Sequence, residues 1–537
     1  MEYIIRASDV LVIGGGLAGL RAAYQAAEAG CTVTVVSKGP RCSADVSGFN
    51  APVGADDSVE LFVRDIHNSG MTLENSVLAE TLARDSLKET AFLENLGLEF
   101  QKTPEGAYQL LQPLWCSVPR LVHSGTATGA EAERLLLQGL EEKGVQVEAP
   151  VTVVEILTAE GSVCGVLAHR SGADTMTVYG AKAVVLAAGG CGGLYEVSTY
   201  SKAICGDSAA LAYRAGAELT NMEFIDFEPC CLVQPPHLKG RGVSSTMLFI
   251  GGVLRNTAGE DIIRKYFSDM SEVNKSRLSR AIFREVREGR GTANGGVYYD
   301  LTAVSREELE EHETYLGLLE RNGIDLAVTP LEVAPAAHTC LGGVRTDERC
   351  SSSIPGLFAA GEAMGSLHGA NRIGGNAGTE VFVFGAIAGA SAAEYAKTVS
   401  LRETAALAAA KSVAAEAATA MKKVGETPQE CAARIRHAVS AGVPLLRNEA
   451  DLLELKEHLD VTAGFDGLTA EHLETYLALL SMTQTASIIA ESSRIRCESR
   501  GVFNRSDYPE TDPHLDHHNT LISKEGTDMK SRMEELS

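Results

Sequence analysis

The twelve cysteines of this 537-residue chain include no C-x2-C pair, and the closest two, Cys230 and Cys231, are adjacent. This spacing suits neither an iron–sulfur cluster nor a structural zinc held by the chain itself. Nothing in the sequence marks a small secreted domain that would need a disulfide framework. We therefore interpret the cysteines as thiols, and an iron–sulfur cluster that serves this protein would belong to another chain.

The sequence also lacks a long hydrophobic run and an excess of basic residues. No stretch approaches the ~18–20 apolar residues of a membrane helix, and the N-terminal apolar run has no basic start, unlike a secretion signal. The 47 Lys and Arg residues are outnumbered by 71 Asp and Glu residues, which gives a net charge of −24. Such a field repels phosphate backbones and anionic lipid head groups. We expect a cytoplasmic protein that neither binds nucleic acid nor inserts into a membrane.

The N-terminal segment carries the sharpest local pattern. Residues 9–13 (DVLVI) form an apolar, β-branched strand, an alanine-rich helix follows, and residues 32–36 (TVTVV) form a second strand. Between the first strand and the helix, Gly14, Gly16 and Gly19 have the spacing G-x-G-x-x-G. These glycines allow a tight turn, let the backbone approach a pyrophosphate, and let helix and strand pack closely. The pattern predicts a βαβ unit that binds a dinucleotide.

The neighbours of these glycines narrow the choice of dinucleotide. Leu17 and Ala18 stand at the start of the helix, where backbone N–H groups face bound phosphates. Ser37 and Lys38 follow the second strand, at the position where an acidic residue would bind the ribose of NAD. A simple NAD site is therefore disfavoured, and we predict that these four residues contact another dinucleotide.

Later segments return to the same fold. Residues 151–168 alternate apolar and polar side chains and predict a β-hairpin. Residues 181–190 (AKAVVLAAGG) form a buried strand that runs into two glycines, and residues 356–362 (GLFAAGE) form another that ends in an acid. From 401 to 493 the chain is rich in Ala, Glu, Leu and Lys with helical spacing. We infer a discontinuous dinucleotide-binding domain followed by a helical domain.

Several ordered motifs extend over nearly the whole chain. They are GGGLAGLRAA (14–23), RLVHSGTATG (120–129), VVLAAGGCGGLY (184–195), GDSAALAYRAGAELTNMEF (206–224), HTCLGGVRTDERC (338–350), GLFAAGEAMGSLHGANRIGGN (356–376) and ESRGVFNRSDYPE (498–510). In this order they resemble the FAD-binding flavoprotein family of fumarate reductase, succinate dehydrogenase and L-aspartate oxidase. The resemblance implies an FAD-dependent oxidoreductase that acts on CH–CH bonds.

The resemblance implies an α/β fold with a discontinuous, Rossmann-like FAD-binding domain, an inserted α+β capping domain that is mobile, and a C-terminal helical domain. The FAD-binding domain would comprise residues 1–227 and 335–397, and the capping domain residues 228–334. The helical domain would comprise residues 398–511, and residues 512–537 would form an extended polar tail. The substrate would lie between the cap and the flavin ring.

The resemblance also assigns residues outside the glycine motif to FAD. These residues are Ala188, Gly189, Asp207, Glu362, Asn376 and Thr379. Glu362 matches the acid that binds the flavin ribitol, and residues 376–379 match the segment that faces the pyrimidine edge of the ring.

Covalent attachment of FAD is not expected. Some family members attach the cofactor through a histidine shortly after the second strand, but residues 38–50 (KGPRCSADVSGFN) contain none. We interpret Cys42, in the same stretch, as a bystander thiol. The sequence therefore predicts noncovalent FAD. The adjacent His517 and His518 have no identifiable third ligand, so we predict no metal site.

Two candidate catalytic residues match the family. Arg372, in HGANR, matches the arginine that binds the substrate carboxylate, and a guanidinium offers two parallel donors to such a group. His338, before the GG turn, matches a histidine that can donate to the same anion. In this family a hydride passes between flavin N5 and one carbon of a C–C bond, while a proton moves at the neighbouring carbon.

Three other groups expected in the family are missing. Glu228 stands in place of a histidine, Leu248 in place of the arginine that we assign to proton delivery, and Ile250 in place of the acid beside it. An apolar residue cannot relay a proton. A carboxylate at position 228 should also repel a second substrate carboxylate. We therefore expect a substrate other than succinate or fumarate, and L-aspartate meets the same objection.

Two residues are candidates for a replacement acid or base. Arg241 lies between glycines that would let its loop reach the active site, and the alternative is an exposed loop arginine. Glu228 could carry the proton if apolar surroundings raise its pKa, and the alternative is a structural acceptor.

Several functions are consistent with these residues. The first is a reductase or dehydrogenase acting on a small organic acid, next to a single carboxylate or acyl group, with electrons from an iron–sulfur or ferredoxin-like partner. The others are an oxidase related to L-aspartate oxidase and an electron-carrying flavoprotein of an iron–sulfur complex. FAD-assisted modification of nucleic acid is disfavoured by the charge. An oligomer is compatible with all of them.

Overall fold

The computed structural model describes residues 1–39, 43, 46–113, 115–125, 127–312 and 316–536. Cys42 therefore lies outside the described residues. The elements before the cap are β1 (Tyr3–Ile13), α1 (Leu17–Glu28), β2 (Val33–Val36), β3 (Phe49–Asn50), α2 (Val59–Gly70), α3 (Ser76–Leu96), β4 (Leu121–Val122), α4 (Thr128–Glu142), β5 (Gln146–Glu148), β6 (Val151–Ala159), β7 (Ser162–Arg170), β8 (Met176–Leu186), α5 (Asp207–Arg214) and β9 (Leu219–Thr220).

The remaining elements follow in two groups. The cap contains β10 (Ile225–Leu232), β11 (Val253–Arg255), α6 (Ile262–Tyr266), α7 (Lys275–Glu285), β12 (Val297–Asp300), α8 (Arg306–His312), α9 (Leu316–Arg321) and β13 (Leu331–Cys340). After the cap come β14 (Gly343–Val344), β15 (Leu357–Ala359), α10 (Asn376–Ala396), α11 (Glu403–Ala420), α12 (Pro428–Gly442), α13 (Glu449–Glu457), α14 (Ala470–Ile495), β16 (His518–Glu525) and β17 (Asp528–Glu535).

The principal sheet has the strand order β5-β2-β1-β8-β7-β6, and β15 pairs with the C-terminal half of β8. β5, β2, β1, β8 and β15 run parallel, whereas β6, β7 and β8 form antiparallel pairs. Val12 lies at the centre, in register with Val35 on one side and Val185 on the other, and all three side chains are fully buried. Helices cover this parallel region, which explains its continuous apolar runs.

The cap has its own sheet and its own hydrophobic core. The strand order is β10-β13-β12-β11, entirely antiparallel, with α7 packed against β10 and β13. The strands of this sheet extend from Ile225 to Cys340, slightly beyond the predicted boundaries of 228–334. The long strands β10 and β13 therefore connect the cap directly to the FAD-binding domain.

The last residues of the chain do not form the extended tail that we predicted for residues 512–537. β16 and β17 form an antiparallel hairpin, and β16 pairs with β9, so that Leu521 lies opposite Thr220. Leu521 and Ile522 are buried, whereas the residues of β17 are exposed or half-buried. The segment is polar because β17 is an edge strand with one face in water, which hides the hairpin from composition.

The longest helices, such as α14 with 26 residues, match a membrane span in length but not in hydropathy. Within the ranges given above, none of them is both long and apolar enough to cross a bilayer.

Candidate active site

A cleft of about 1290 Å³ of empty space opens at the carboxyl ends of the parallel strands. In an open α/β sheet this edge is where ligands bind. Nine of the residues predicted to bind the cofactor line the cleft. They are Gly14, Gly16, Ala18, Ser37, Lys38, Ala188, Gly189, Asp207 and Glu362. Residues from both segments of the FAD-binding domain therefore converge on one cleft.

The glycine turn brings β1, α1 and β8 into close contact. Gly14 has a φ of +115°, and a Cβ there would lie 2.1 Å from the carbonyl oxygen of Ala187. A Cβ on Gly19 would lie 2.0 Å from the carbonyl oxygen of Gly14. Gly19 therefore lies outside the cleft lining and acts by letting the helix approach the strand. Gly16 precedes α1 and has no side chain to cap it, and the backbone N–H of Leu17 donates to the Ser43 Oγ at 3.2 Å. Gly16, Ala18 and Ser43 line the cleft, so the start of α1 faces it, where the helix dipole favours an anion.

Replacement of Gly19 by alanine should prevent FAD binding, because the new Cβ would overlap backbone atoms that cannot move independently. We expect the purified variant to contain no flavin absorbance, and the measurement is the ratio of absorbance near 450 nm to that at 280 nm. Gly317→Ala is the control, since a Cβ there meets only the flexible end of Arg321 at 3.3 Å. A fully flavinated Gly19→Ala variant would contradict the packing argument.

Lys38 and Asp207 form an ion pair in the wall of the cleft. The Lys38 Nζ lies 2.9 Å from the Asp207 Oδ2. Burial alone would lower the pKa of Lys38, but the Asp207 carboxylate more than offsets it, so the pKa lies above its ordinary value. Lys38 is therefore a fixed cation at the end of β2, where an NAD-binding fold usually has an acid.

Glu362 is held in the cleft by two donors. Its carboxylate accepts a hydrogen bond from the Tyr200 hydroxyl and another, of 2.8 Å, from the backbone N–H of Cys340. Burial raises the pKa of Glu362 to about 7, although both hydrogen bonds act in the opposite direction. A protonated Glu362 could donate to a hydroxyl or carbonyl of a ligand, which fits the position predicted for the flavin ribitol.

The N-terminus of α10 carries two more of the predicted cofactor residues, and the remaining one, Leu17, is fully buried outside the cleft lining. The Thr379 hydroxyl is occupied, because it accepts from the backbone N–H of Asn50 at 2.8 Å and donates to the Asn50 carbonyl at 3.0 Å. The Asn376 Oδ1 accepts from the Asn50 Nδ2 at 2.6 Å, but the Asn376 Nδ2 is buried without a partner. This unpaired amide, the start of α1 beside the cleft and the glycine turn together fit a dinucleotide with a polar ring edge.

Arg372 lies immediately before α10, on the side of the cleft that faces the cap. Its Nη1 donates to the Ile373 carbonyl at 3.1 Å, and its Nε is buried without a hydrogen-bond partner. Among the residues that the structure describes, Arg372 has no carboxylate partner within ion-pair distance. A structural ion pair therefore does not account for this arginine, and its guanidinium is available to a ligand carboxylate.

His338 lies on β13, beside the charges of the cap. Its Nδ1 is 3.1 Å from the Thr199 hydroxyl. Burial lowers the pKa of His338 well below its ordinary value, and the positive charges of Lys275 and Arg372 lower it further. His338 is therefore a neutral imidazole at physiological pH. It can contribute a hydrogen bond to a substrate, but no charge.

Lys275 is a site residue that the sequence analysis missed. Its Nζ lies 2.7 Å from the Asp226 Oδ2 and 3.0 Å from the Glu228 Oε2. Burial would lower the pKa of Lys275, but the two carboxylates more than offset it, so the pKa is raised and the side chain stays protonated. Lys275 and Arg372 both act electrostatically on His338, and Arg372 acts on Lys275, so the three groups lie near one another.

The sequence indicates where the helix that carries Lys275 begins, but it gives little sign that Lys275 belongs to the active site. Asn274 caps α7 and accepts from the backbone N–H of Arg277 at 3.0 Å, so an N-cap pattern marks the start of the helix. The segment NKSRLSR otherwise resembles a solvated basic helix. Only the fold shows that its first lysine lies opposite β10.

Glu228 and Arg241, the two candidates for a replacement acid or base, do not lie in the structure as we expected. Glu228 does not face the site as an isolated anion, because it pairs with Lys275, which it shares with Asp226. Arg241 is exposed, in a loop that backbone hydrogen bonds to Leu232 hold against β10. Leu248 is buried in the core of the cap. The segment around Leu248 thus stabilises the cap instead of carrying protons.

Comparison with known proteins gives consistent matches. A family model described as "FAD binding domain" matches residues 9–377, and one described as "Fumarate reductase flavoprotein C-term" matches residues 436–536. A fumarate reductase (CoM/CoB) subunit from Methanothermobacter marburgensis is 33% identical over 538 residues, which cover 96% of each chain. The L-aspartate oxidase of Bacillus subtilis is 29% identical and covers 97% of this chain and 95% of its own.

Solved structures agree with these relatives. Sdh1 of Mycobacterium smegmatis superposes with a TM-score of 0.91 at 30% identity, covering 99% of this chain and 95% of its own. A quinol fumarate reductase structure from E. coli superposes with a TM-score of 0.88 at 27% identity, covering 100% of this chain and 97% of its own.

Proposed function

Since the chain belongs to the flavoprotein family of fumarate reductase, succinate dehydrogenase and L-aspartate oxidase, and is an oxidoreductase with FAD as its cofactor, we propose that it acts on a C–C bond next to a single carboxylate or acyl group. The observation that carries this proposal is Arg372. Its guanidinium acts electrostatically on Lys275 of the cap and on Glu362 of the cofactor cleft, and its Nε is buried and unpaired. A ligand carboxylate would satisfy it with two parallel hydrogen bonds.

The charge balance of the site favours a substrate with one negative charge. The cations Lys275 and Arg372 are matched by the anions Asp226 and Glu228, and His338 is neutral. Of these two cations, Lys275 pairs with both carboxylates, and Arg372 has no carboxylate partner among the residues described. A second substrate carboxylate would have to lie near Asp226 and Glu228 without a cation of its own, which is unfavourable.

Lys275 is our candidate for the proton donor. FAD, when bound, supplies or accepts the hydride at N5. Lys275 is protonated, lies on the cap beside Arg372, and contacts Glu228, whose side chain is 27% exposed. A proton lost from the Lys275 Nζ to the substrate carbon could be replaced from solvent through Glu228. We expected Glu228 to carry the proton by itself. In this proposal Lys275 donates the proton to the substrate, and Glu228 then passes a proton from solvent to Lys275.

The source of the electrons is also part of the proposal. The relative from Methanothermobacter marburgensis is named as one subunit of a larger enzyme. The spacing of the cysteines in this chain suits no cluster of its own. We infer that an iron–sulfur or ferredoxin-like protein exchanges electrons with the flavin.

The test of the proposed function is an anaerobic titration of the reduced holoprotein with unsaturated acids. We expect a monocarboxylate or acyl compound to reoxidise the flavin rapidly, and fumarate to do so more slowly by roughly 10²-fold, because like charges placed together cost several kcal/mol. Reoxidation by fumarate at the faster rate would refute the substrate class. Rapid reaction with oxygen, with peroxide formed, would instead support an oxidase. No reaction with the panel, together with fast exchange with an iron–sulfur protein, would support an electron carrier.

We also expect the flavin to be released from the denatured protein, because no histidine is present in residues 38–50. After acid precipitation the yellow colour should remain in the supernatant. A precipitate that keeps flavin fluorescence through washing and gel electrophoresis would show a covalent bond and would contradict this prediction.

A further inference from the structure

A second cleft lies where the cap meets the C-terminal part of the chain. It contains about 920 Å³ of empty space, part of it open to solvent. One wall is formed by α6 and α7 of the cap, and the opposite wall by residues 499–509 and Leu446. This cleft shares no lining residue with the cofactor cleft, and none of the roles proposed above uses it.

The cap wall of this cleft carries a stripe of arginines. Arg277, Arg280 and Arg284 are spaced i, i+3 and i+7 on α7, so they lie on one face of the helix. Tyr266 and Phe267 flank the stripe, with the Arg284 guanidinium 5.7 Å from the Tyr266 ring and the Arg277 guanidinium 5.2 Å from the Phe267 ring. The wall therefore combines fixed cations with aromatic surface.

Two of these arginines have no counter-ion. Arg277 pairs with Glu272 at 3.1 Å, but Arg280 and Arg284 have no carboxylate within ion-pair distance among the described residues. Arg280 instead donates to the neutral Asn504 Oδ1 at 2.7 Å. Burial lowers the pKa of Arg280, and the neighbouring charges of Arg277 and Arg284 lower it further. Adjacent uncompensated cations repel one another, which is unexpected in a chain with a net charge of −24.

The opposite wall does not supply the missing anion. Arg505 also lines the cleft, and it is already paired with Asp507 at 2.6 Å and Glu449 at 3.2 Å. The remaining polar groups at this wall belong to Ser499, Asn504 and Ser506. The hydroxyls of Ser499 and Ser506 already donate to backbone carbonyls, and the Asn504 Nδ2 donates to the Val502 carbonyl at 3.1 Å. The unmatched positive charge on α7 is therefore the feature that distinguishes this cleft.

We propose that this cleft is a binding site for a small organic anion with a phosphate or carboxylate head group. The guanidinium fork suits the planar or tetrahedral oxygens of such a group, and the aromatic side chains suit an organic body. A ligand here would contact α7, which also carries Lys275, and the segment around Asn504. It would therefore couple the cap to the C-terminal domain, whereas the empty cleft leaves like charges together.

The test is calorimetric titration of the full-length holoprotein with inorganic phosphate and, separately, with citrate, at constant ionic strength. Constant ionic strength separates site binding from general screening. We expect one saturable site for at least one probe, weakened roughly tenfold or more in the double variant Arg280→Gln and Arg284→Gln, which removes two charge-assisted contacts. The preferred probe identifies the head group. Arg372→Ala should bind as the wild type does, which separates this cleft from the substrate site.

Arg264→Gln is the matched control, because Arg264 is on the cap, 89% exposed, and outside the cleft. Its affinity should equal that of the wild type. Glutamine at position 280 can still bond to Asn504, and an unchanged flavin spectrum and unfolding temperature would show that the double variant is folded. Absence of saturable binding by both probes, or equal binding by the double variant and the wild type, would overturn the proposal.

Discussion

Replacing Arg372 with alanine should lower kcat/KM for the carboxylate substrate on the order of 10³-fold, similar to the loss of a charge-stabilising donor at other active sites. The guanidinium would hold the carboxylate in both the ground state and the transition state, so KM should rise and kcat should fall. The measurement is the rate of flavin reoxidation as a function of substrate concentration under anaerobic conditions.

Two controls make this test specific. Arg372→Lys keeps the positive charge but lacks the two parallel N–H donors of the guanidinium, so this variant should retain only part of the wild-type activity. Arg349→Ala removes an exposed arginine that pairs with Glu394, and it should leave the rate unchanged. An Arg372→Ala variant with wild-type kcat/KM and normal flavin content would show that Arg372 does not bind the substrate.

Replacing Lys275 with methionine should lower kcat by about 10²–10⁴-fold, the usual contribution of a positioned proton donor. Methionine keeps the length and the apolar stem of lysine but carries no proton. The expected effect is on catalysis more than on flavin binding, because Lys275 lies on the cap and outside the cofactor cleft. Rapid-mixing measurement of substrate reduction separates the chemical step from electron delivery.

The pH profile distinguishes a proton donor from a structural ion pair. The carboxylates of Asp226 and Glu228 hold the pKa of Lys275 above its ordinary value of 10.5, so the wild type should lose no activity from this group through neutral pH. Lys275→Arg should retain substantial activity with a changed solvent isotope effect. If Lys275→Met reduces substrate at the wild-type rate, the proton must come from elsewhere, and Arg241 would become the next candidate.

The sequence predicted the FAD-binding fold well because its signals are local. The glycine turn after β1, the hairpin of β6 and β7, and the long helices after residue 401 all follow from patterns within a few tens of residues. The resemblance supplied the order of the domains. The matches to the FAD-binding and C-terminal family models confirm the family and the fold class.

The active site was less accessible to sequence analysis because its pairs are distant in the chain. Lys275 meets Asp226 across 49 residues, and nothing near either residue predicts the contact. Without Lys275, Glu228 appeared to be an unpaired anion, whereas it shares that lysine with Asp226. The glycines beside Arg241 suggested that its loop could reach the active site, whereas the backbone hydrogen bonds that hold this loop depend on the fold of the cap. The roles of these residues remain predictions.

The C-terminal hairpin has a consequence for how this protein is made. Glu223 accepts a hydrogen bond from Thr520, 297 residues later, and also pairs with Arg496 at 2.6 Å; Glu223 and Arg496 are fully buried. Until the segment that carries β16 has been synthesised and has left the ribosome, β9 has no β16 beside it and Glu223 lacks its Thr520 partner. The nascent FAD-binding domain therefore cannot complete its folding when its own residues are synthesised, because it needs contacts with β16, which is synthesised much later.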